Sequence, residues 1–176
     1  MKKIILLSFL LLLSACGSAG LDDYKNTSPE LKLEQFFEGK LKAYGMVFDR
    51  SGKLLRRFEV DLIAHWEGDK GEIKEWFVFD DGEKMTRIWQ LVRETNNSYT
   101  GTASDILGTA RGRTQGSALF WQYEMNIEVD GSTYQISLDD WMYLMDDKRL
   151  FNKTDMTKFG VKVGEIILYI EKLDPK

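Results

Sequence analysis

The sequence predicts an all-β domain, a single antiparallel up-and-down β-barrel of about nine or ten strands over residues 36–174. Three observations support this prediction. Apolar and polar residues alternate in many short segments, which is the pattern of half-buried strands. Clusters of Gly, Asp, Asn and Ser separate those segments at hairpin spacing. No long stretch has the pattern of an amphipathic helix, which disfavours α/β folds.

The clearest strand pattern lies between residues 57 and 66. Five apolar residues share one predicted face: Phe58, Val60, Leu62, Ala64 and Trp66. Charged and polar residues fill the positions between them, as expected of a strand with one face on the core and one in solvent. The preceding strand, from Gly39 to Val47, alternates in a similar way.

The rest of the domain is predicted as strands joined by tight turns. In chain order these strands cover residues 73–79, 85–93, 99–105, 121–129, 134–144, 150–158 and 163–171. Turn sequences such as Asp80-Asp81-Gly82 and Asp130-Gly131 are typical of hairpins. A meander of this length closes readily into a barrel, which leaves no exposed strand edge. A sandwich of two sheets is the alternative.

The amino-terminal segment has the layout of a secretory signal. Lys2 and Lys3 precede the apolar run 4–13, and Leu13-Ser14-Ala15-Cys16 closes it. The run is too short to cross a bilayer, which takes about 20 apolar residues. The closing residues resemble the cleavage box of bacterial lipoproteins, whose cysteine receives a diacylglycerol. The resemblance implies a signal peptide over residues 1–15 and lipidation at Cys16; an ordinary signal with an incidental cysteine is the alternative.

The same resemblance implies a location. Gly17, and not Asp, follows Cys16, and by analogy with enterobacterial sorting this favours the outer membrane over the inner membrane. We therefore expect a lipid-anchored protein on the periplasmic face of the outer membrane, with that membrane as its partner. Residues 16–35 are predicted to form the lipidated start and a tether. Phe36 and Phe37 are expected to plug one end of the domain.

Composition argues against several classes of function. The chain has 24 basic and 28 acidic residues, a net charge of −4, whereas nucleic-acid binding requires a basic face. Cys16 is the only cysteine, so its lipidation would leave no thiol for a disulfide or a metal site. His65 is the only histidine, which argues against a histidine metal site and a catalytic triad. We expect no cofactor and no metal.

Several motifs together resemble DUF3833, a family of bacterial lipoproteins of unknown function. The matching residues are Phe37-Glu38-Gly39, Tyr44-Gly45-Met46-Val47, Asp49-Arg50-Ser51-Gly52, Arg57-Phe58, Asp80-Asp81-Gly82-Glu83, Arg87 with Trp89, the small residues from Gly101 to Ala118, Asp139-Asp140-Trp141-Met142, Lys158-Phe159-Gly160 and Gly164-Glu165. They span nearly all of the mature chain. The resemblance implies a lipocalin-like, or calycin-like, barrel in the cell envelope.

Two arginines in the glycine-rich segment 101–118 are candidate ligand-binding residues. If the strand phase of Trp121 continues back without a break, Arg111 and Arg113 point into the barrel. Two guanidinium groups there would suit a carboxylate or a phosphate. The alternative is a glycine bulge that reverses the phase and leaves both arginines in solvent. That alternative is favoured, because arginine is rarely buried.

Asp140 shares its predicted face with Leu138 and Met142, so it is expected to point inward. A buried carboxylate needs a cationic partner, for which Arg87 is one candidate. Such a pair is either a polar floor for a ligand or, as we prefer, a structural ion pair. Tryptophans would either line a pocket or fill a solid core. The predicted ligand-binding residues are Arg87, Trp89, Arg111, Arg113, Trp121 and Asp140.

Three functions follow from this reading. The favoured one is a lipid-anchored barrel that binds or carries an amphipathic small molecule, either a fatty acid or a phospholipid. The second is a packed barrel that docks an unknown envelope partner through Trp141, Tyr143 and Met145. The third is an enzyme with paired carboxylates such as Asp105 and Asp140. Because nothing in the sequence fixes their separation, we expect that the protein is not an enzyme.

Overall fold

The computed structural model describes residues 19–129 and 131–174. In this part of the chain, ten antiparallel strands form one closed up-and-down barrel, which confirms the predicted fold class over the sandwich. The strands are β1 (Gly39–Asp49), β2 (Leu54–Glu67), β3 (Lys70–Phe79), β4 (Lys84–Arg93), β5 (Ser98–Thr102), β6 (Ile106–Gln115), β7 (Ala118–Val129), β8 (Ser132–Leu144), β9 (Arg149–Lys158) and β10 (Val161–Lys172).

The barrel closes through the first and last strands. β1 pairs with β10 from Leu41 opposite Lys172 to Asp49 opposite Gly164. Every other strand pairs with its neighbours in sequence. Closure removes the two open edges of the meander, whose free N–H and C=O groups would otherwise be available to pair with another chain.

The predicted inner face of β2 is confirmed. Phe58, Val60, Leu62 and Ala64 are buried, and the residues between them are exposed. Large inner rings lie over glycines on the adjacent strand in three cross-strand pairs: Gly45 with Phe58, Gly71 with Trp66 and Gly112 with Trp121. A Cβ atom on Gly112 would lie 2.4 Å from the Trp121 ring. Glycine therefore allows these rings to lie against the barrel wall.

One end of the barrel is plugged, as predicted. The short helix α1 (Leu33–Phe36) leads into Phe37, and the side chains of Phe36 and Phe37 are buried. Glu34 fixes the helix to the rim of the barrel, since its carboxylate accepts hydrogen bonds from Arg93 at 2.7 Å and Tyr99 at 2.8 Å.

The tether predicted over residues 16–35 is corrected for the part from Leu21 onward. A 3₁₀ turn (Leu21–Tyr24) lies against the outer wall, where the Tyr24 ring is 5.5 Å from that of Tyr143 and 5.9 Å from that of Trp141. Leu31 is fully buried, and its backbone N–H donates to the Gly116 carbonyl at 2.8 Å. Aromatic and apolar side chains within this polar segment hold it on the barrel, because their burial is favourable.

No helix in the described ranges is long and apolar enough to cross a membrane.

Candidate functional site

The barrel interior contains a cavity of about 490 Å³. It extends from Leu33 and Phe37 at the plug to Leu55, Arg56 and Val129 near the other end. Pockets for small molecules commonly measure about 300–1,000 Å³. The interior is therefore hollow enough to hold a ligand, and the alternative of a solidly packed barrel is not what the structure shows.

Most of the cavity wall is aliphatic or aromatic. Trp89 packs edge-to-face against Trp121 and Tyr123, with ring centroids 5.8 and 5.4 Å apart. Phe77 and Phe79 form a stacked pair on β3 at 6.2 Å. All five rings line the cavity. The sequence prediction placed Trp89 and Trp121 in such a wall, and the structure brings them together there.

Arg87 lies inside the barrel beside two carboxylates. Its Nε and Nη2 atoms lie 2.8 and 2.6 Å from Asp105 Oδ2, and its Nη1 is 4.0 Å from Glu75 Oε2. Burial lowers the pKa of Arg87, but the nearby Tyr123, Glu75 and Asp105 outweigh burial, so that the pKa is raised. Arg87 therefore stays charged and is neutralised by Asp105.

Asp140 is buried on the inner face of β8, where the sequence pattern placed it. Its carboxylate accepts a hydrogen bond from the Thr154 hydroxyl, and Thr154 also lies 3.1 Å from Asn152 Oδ1. Burial raises the pKa of Asp140 to about 7, against the opposing effects of Thr154 and Arg87. The partner bonded to Asp140 is thus a hydroxyl on β9; the ion pair of Arg87 is with Asp105.

Glu75 is a charged cavity residue that the sequence prediction missed. Its side chain is only 15% exposed, and its Oε2 atom is buried without a hydrogen-bond partner in the described structure. Burial raises the pKa of Glu75 to about 7, although Arg87 acts to lower it. The signal was in the pattern of β3, because Glu75 falls in phase with Ile73 and Phe77.

Arg111 and Arg113 lie outside the barrel, as the favoured alternative predicted, and they are therefore removed from the predicted ligand-binding residues. The β6–β7 turn contains two residues, and Gln115 therefore pairs with Ala118. This register sets Gly112 opposite Trp121 on the inner face and turns both arginines outward. Strand side chains alternate with a period of two. Adding or removing one residue in a turn therefore moves the side chains of the strand to the opposite face. Arg113 instead pairs with Asp22 on the surface, at 3.1 Å.

Two further predictions concern metal binding and lipidation. Across the described ranges, no group of three or more His, Cys, Asp or Glu side chains could hold a metal ion. Cys16, the predicted lipidation site, lies outside the described residues.

A closed antiparallel barrel around one internal cavity defines the class of this protein as a lipocalin-like barrel. The chain belongs to the family described as "Protein of unknown function (DUF3833)", whose model matches residues 10–172. This match confirms the resemblance drawn from the motifs. No curated protein matches the chain at a significant level.

The fold is similar to that of a solved structure over most of the chain. That structure is the S-type phycobiliprotein lyase CPES from Guillardia theta, with a TM-score of 0.60 and 8% sequence identity, and the match covers 90% of this chain and 100% of that chain. At this identity the likeness concerns the fold. It also contradicts our expectation that the protein is not an enzyme. That protein is named as a lyase and has a similar barrel. The fold therefore gives no support to the expectation that this chain is not an enzyme.

Proposed function

We propose that this protein binds an amphipathic small molecule inside its barrel, while lipid on Cys16 holds it at the periplasmic face of the outer membrane. The observation that carries the proposal is the cavity of about 490 Å³, with a mostly apolar wall and a buried polar cluster. The name polar cluster refers here to Glu75, Arg87 and Asp140, which line the cavity, and to Asp105, which pairs with Arg87. A molecule with an apolar chain and one polar group matches such an interior.

Burial of the ligand's apolar chain would supply most of the affinity. Each buried methylene contributes roughly 0.8 kcal/mol. Ten methylenes would therefore contribute roughly 8 kcal/mol, before the costs of immobilising the ligand are subtracted. The polar cluster would add orientation and selectivity, since buried polar groups favour ligands that complete their hydrogen bonds.

The sequence analysis predicts a fatty acid or phospholipid held by four polar residues: Arg87, Arg111, Arg113 and Asp140. Because Arg111 and Arg113 lie outside the barrel, any lipid in this cavity is left with Arg87 and Asp140 among those four. The docking surface predicted at Trp141 and Tyr143 is in turn occupied by Tyr24. The cavity, and not the outer wall, is therefore where we place the function.

Catalysis in the same cavity is a second candidate, favoured by one observation. Glu75 and Asp140 both line the cavity, and burial raises the pKa of each to about 7. A carboxyl group with a pKa near the working pH is suited to proton transfer. An altered ligand recovered from the protein would support this candidate.

The binding proposal is tested by extracting the full chain from its native membranes and identifying bound molecules by mass spectrometry. Val47→Trp should reduce the bound molecule at least fivefold, because Val47 lines the cavity and is half-buried. Met46→Trp is the matched control, because Met46 is the next residue on the exposed face. Equal recovery from both variants, each with a normal melting temperature, would contradict binding inside the barrel.

The anchor is tested separately with Cys16→Ser. We expect the native chain to incorporate an alkynyl fatty acid during growth and to sediment with membranes. The Cys16→Ser chain should incorporate no label. A labelled Cys16→Ser protein would refute lipidation at this position.

A further inference from the structure

We propose that the polar group of the bound molecule is a protonated amine, recognised by the carboxylate of Glu75, rather than a carboxylate or a phosphate. This inference rests on the proposed function and deepens it by naming the chemical class of the ligand's polar group. Three observations support it: the charges that line the cavity, the unpaired Oε2 atom of Glu75 and the aromatic rings nearby.

Acidic side chains outnumber basic ones in the lining of the cavity. Its basic lining residues in the described ranges are Arg56 and Arg87, and its acidic ones are Glu75, Glu128 and Asp140. Asp105 holds Arg87 through two close contacts to one oxygen, at 2.6 and 2.8 Å. An anionic ligand would therefore have to displace Asp105 to reach this guanidinium.

Arg56, at the end of the cavity opposite the plug, is paired through Nη2. Its Nη2 atom lies 2.8 Å from both Asp81 and Glu83. Its guanidinium also stacks over the Phe79 ring, 3.8 Å from the centroid. Two carboxylates on one guanidinium leave no net positive charge at this end of the cavity, although the buried Nε atom of Arg56 has no hydrogen-bond partner in the described structure.

Glu75 supplies the acceptor for the amine. Its Oε2 atom is buried and has no hydrogen-bond partner in the described structure. The nearest cationic nitrogen, Arg87 Nη1, is 4.0 Å away, which is beyond hydrogen-bond distance. Buried polar atoms in folded proteins are nearly always paired. A ligand N–H group at this position would complete the hydrogen bonding of Oε2, whereas a ligand carboxylate would place a second acceptor against it.

The rings beside Glu75 favour the same charge. On β4, Trp89 lies two residues from Arg87, which pairs directly with Glu75 across the β3–β4 ladder. Trp121 and Tyr123 pack on Trp89 and line the same cavity. Aromatic faces attract cations and repel anions through the ring quadrupole. Carboxylate and rings thus form a combination that suits a cation, and the Arg87 guanidinium, 5.7 Å from the Trp89 ring centroid, already uses part of it.

The test compares two photoreactive probes that differ only in the polar group. A diazirine-bearing dodecylamine and the matching dodecanoic acid are added to the full chain in phosphatidylcholine vesicles. Cross-linked peptides are then mapped by mass spectrometry. We expect the amine to label inward-facing residues of β4 and β7 at least tenfold more than the acid does.

Two substitutions then test whether Glu75 recognises the amine. Glu75→Gln should reduce interior labelling by the amine at least fivefold, because the neutral amide attracts a cation less strongly. Glu67→Gln, an exposed position at the end of β2, should leave labelling unchanged. Melting temperatures establish that both variants fold.

The outcomes separate this inference from the proposed function. Preferential interior labelling by the acid, or unchanged amine labelling in Glu75→Gln, overturns the amine assignment and leaves binding in the barrel intact. Labelling confined to the outer wall by both probes overturns the amine assignment and the proposed function together.

Discussion

Replacing Glu75 with Gln should stabilise this protein at pH 8 and leave its stability at pH 4 nearly unchanged. Glu75 lies inside the barrel with 15% of its side chain exposed. Ionisation places a charge there, against a wall that is mostly apolar, and Arg87, whose Nη1 is 4.0 Å away, acts to offset it. Glutamine has the shape of the protonated acid and stays uncharged, so it avoids that desolvation penalty.

The sign and the size follow from the pKa of Glu75. Burial raises it from an ordinary value of 4.5 to about 7 in the folded protein. The folded state therefore binds the proton more tightly, and the stability this provides is fully present below pH 4.5 and lost as the pH rises through 7. Since each pKa unit corresponds to about 1.4 kcal/mol, the loss approaches about 3 kcal/mol by pH 8.

The assay is urea unfolding of the full chain in nanodiscs, followed by tryptophan fluorescence between pH 4 and pH 8. The wild-type stability should fall across this range, and the fall should be about half as large in Glu75→Gln, because Asp140 has a similarly raised pKa. The exposed control Glu67→Gln should follow the wild type. A Glu75→Gln protein that is less stable than the wild type at pH 8 would refute the reasoning. Attraction to Arg87 would then outweigh desolvation.

Three further predictions test the fold around the cavity. Gly112→Ala should cost about 1–3 kcal/mol in urea unfolding, because the new Cβ would lie 2.4 Å from an indole ring, while Gly20→Ala, with nothing within 4 Å, should be neutral. Thr154→Val should cost about 1–3 kcal/mol at pH 8, since it removes the hydroxyl bonded to the buried Asp140; an unchanged unfolding midpoint would contradict this. Tyr24→Ala should speed proteolysis of the amino-terminal segment while the barrel keeps its melting temperature, and an unaltered digestion rate would count against the packing of this ring.

Much of the fold was readable from local patterns. The alternation in β2, from Phe58 to Trp66, and hairpin turns such as Asp80-Asp81-Gly82 were sufficient to predict an antiparallel barrel. The inward position of Asp140 followed from the same alternation. These features are local because side-chain direction in a strand repeats every two residues. A sequence therefore records which residues share a face, strand by strand.

The register between one strand and the next cannot be predicted from this alternation. The two-residue turn between Gln115 and Ala118 places Arg111 and Arg113 on the outer face, which was favoured because arginine is rarely buried but was not fixed by the strand pattern. Nothing in the alternation of β6 distinguishes that turn from a longer one. A change of one residue moves every side chain on the strand to the opposite face.

The polar cluster depended on tertiary structure altogether. Glu75 and Arg87 come from adjacent strands, and Asp105 comes from the loop after β5. The open volume around them depends on how ten strands close and on rings that lie over glycines such as Gly112. The sequence determined the strands, the faces and the predicted anchor motif at Cys16. Only the closed barrel decided which charges meet in its interior, because closure brings Asp140 on β8 within electrostatic reach of Glu75 on β3 and Arg87 on β4.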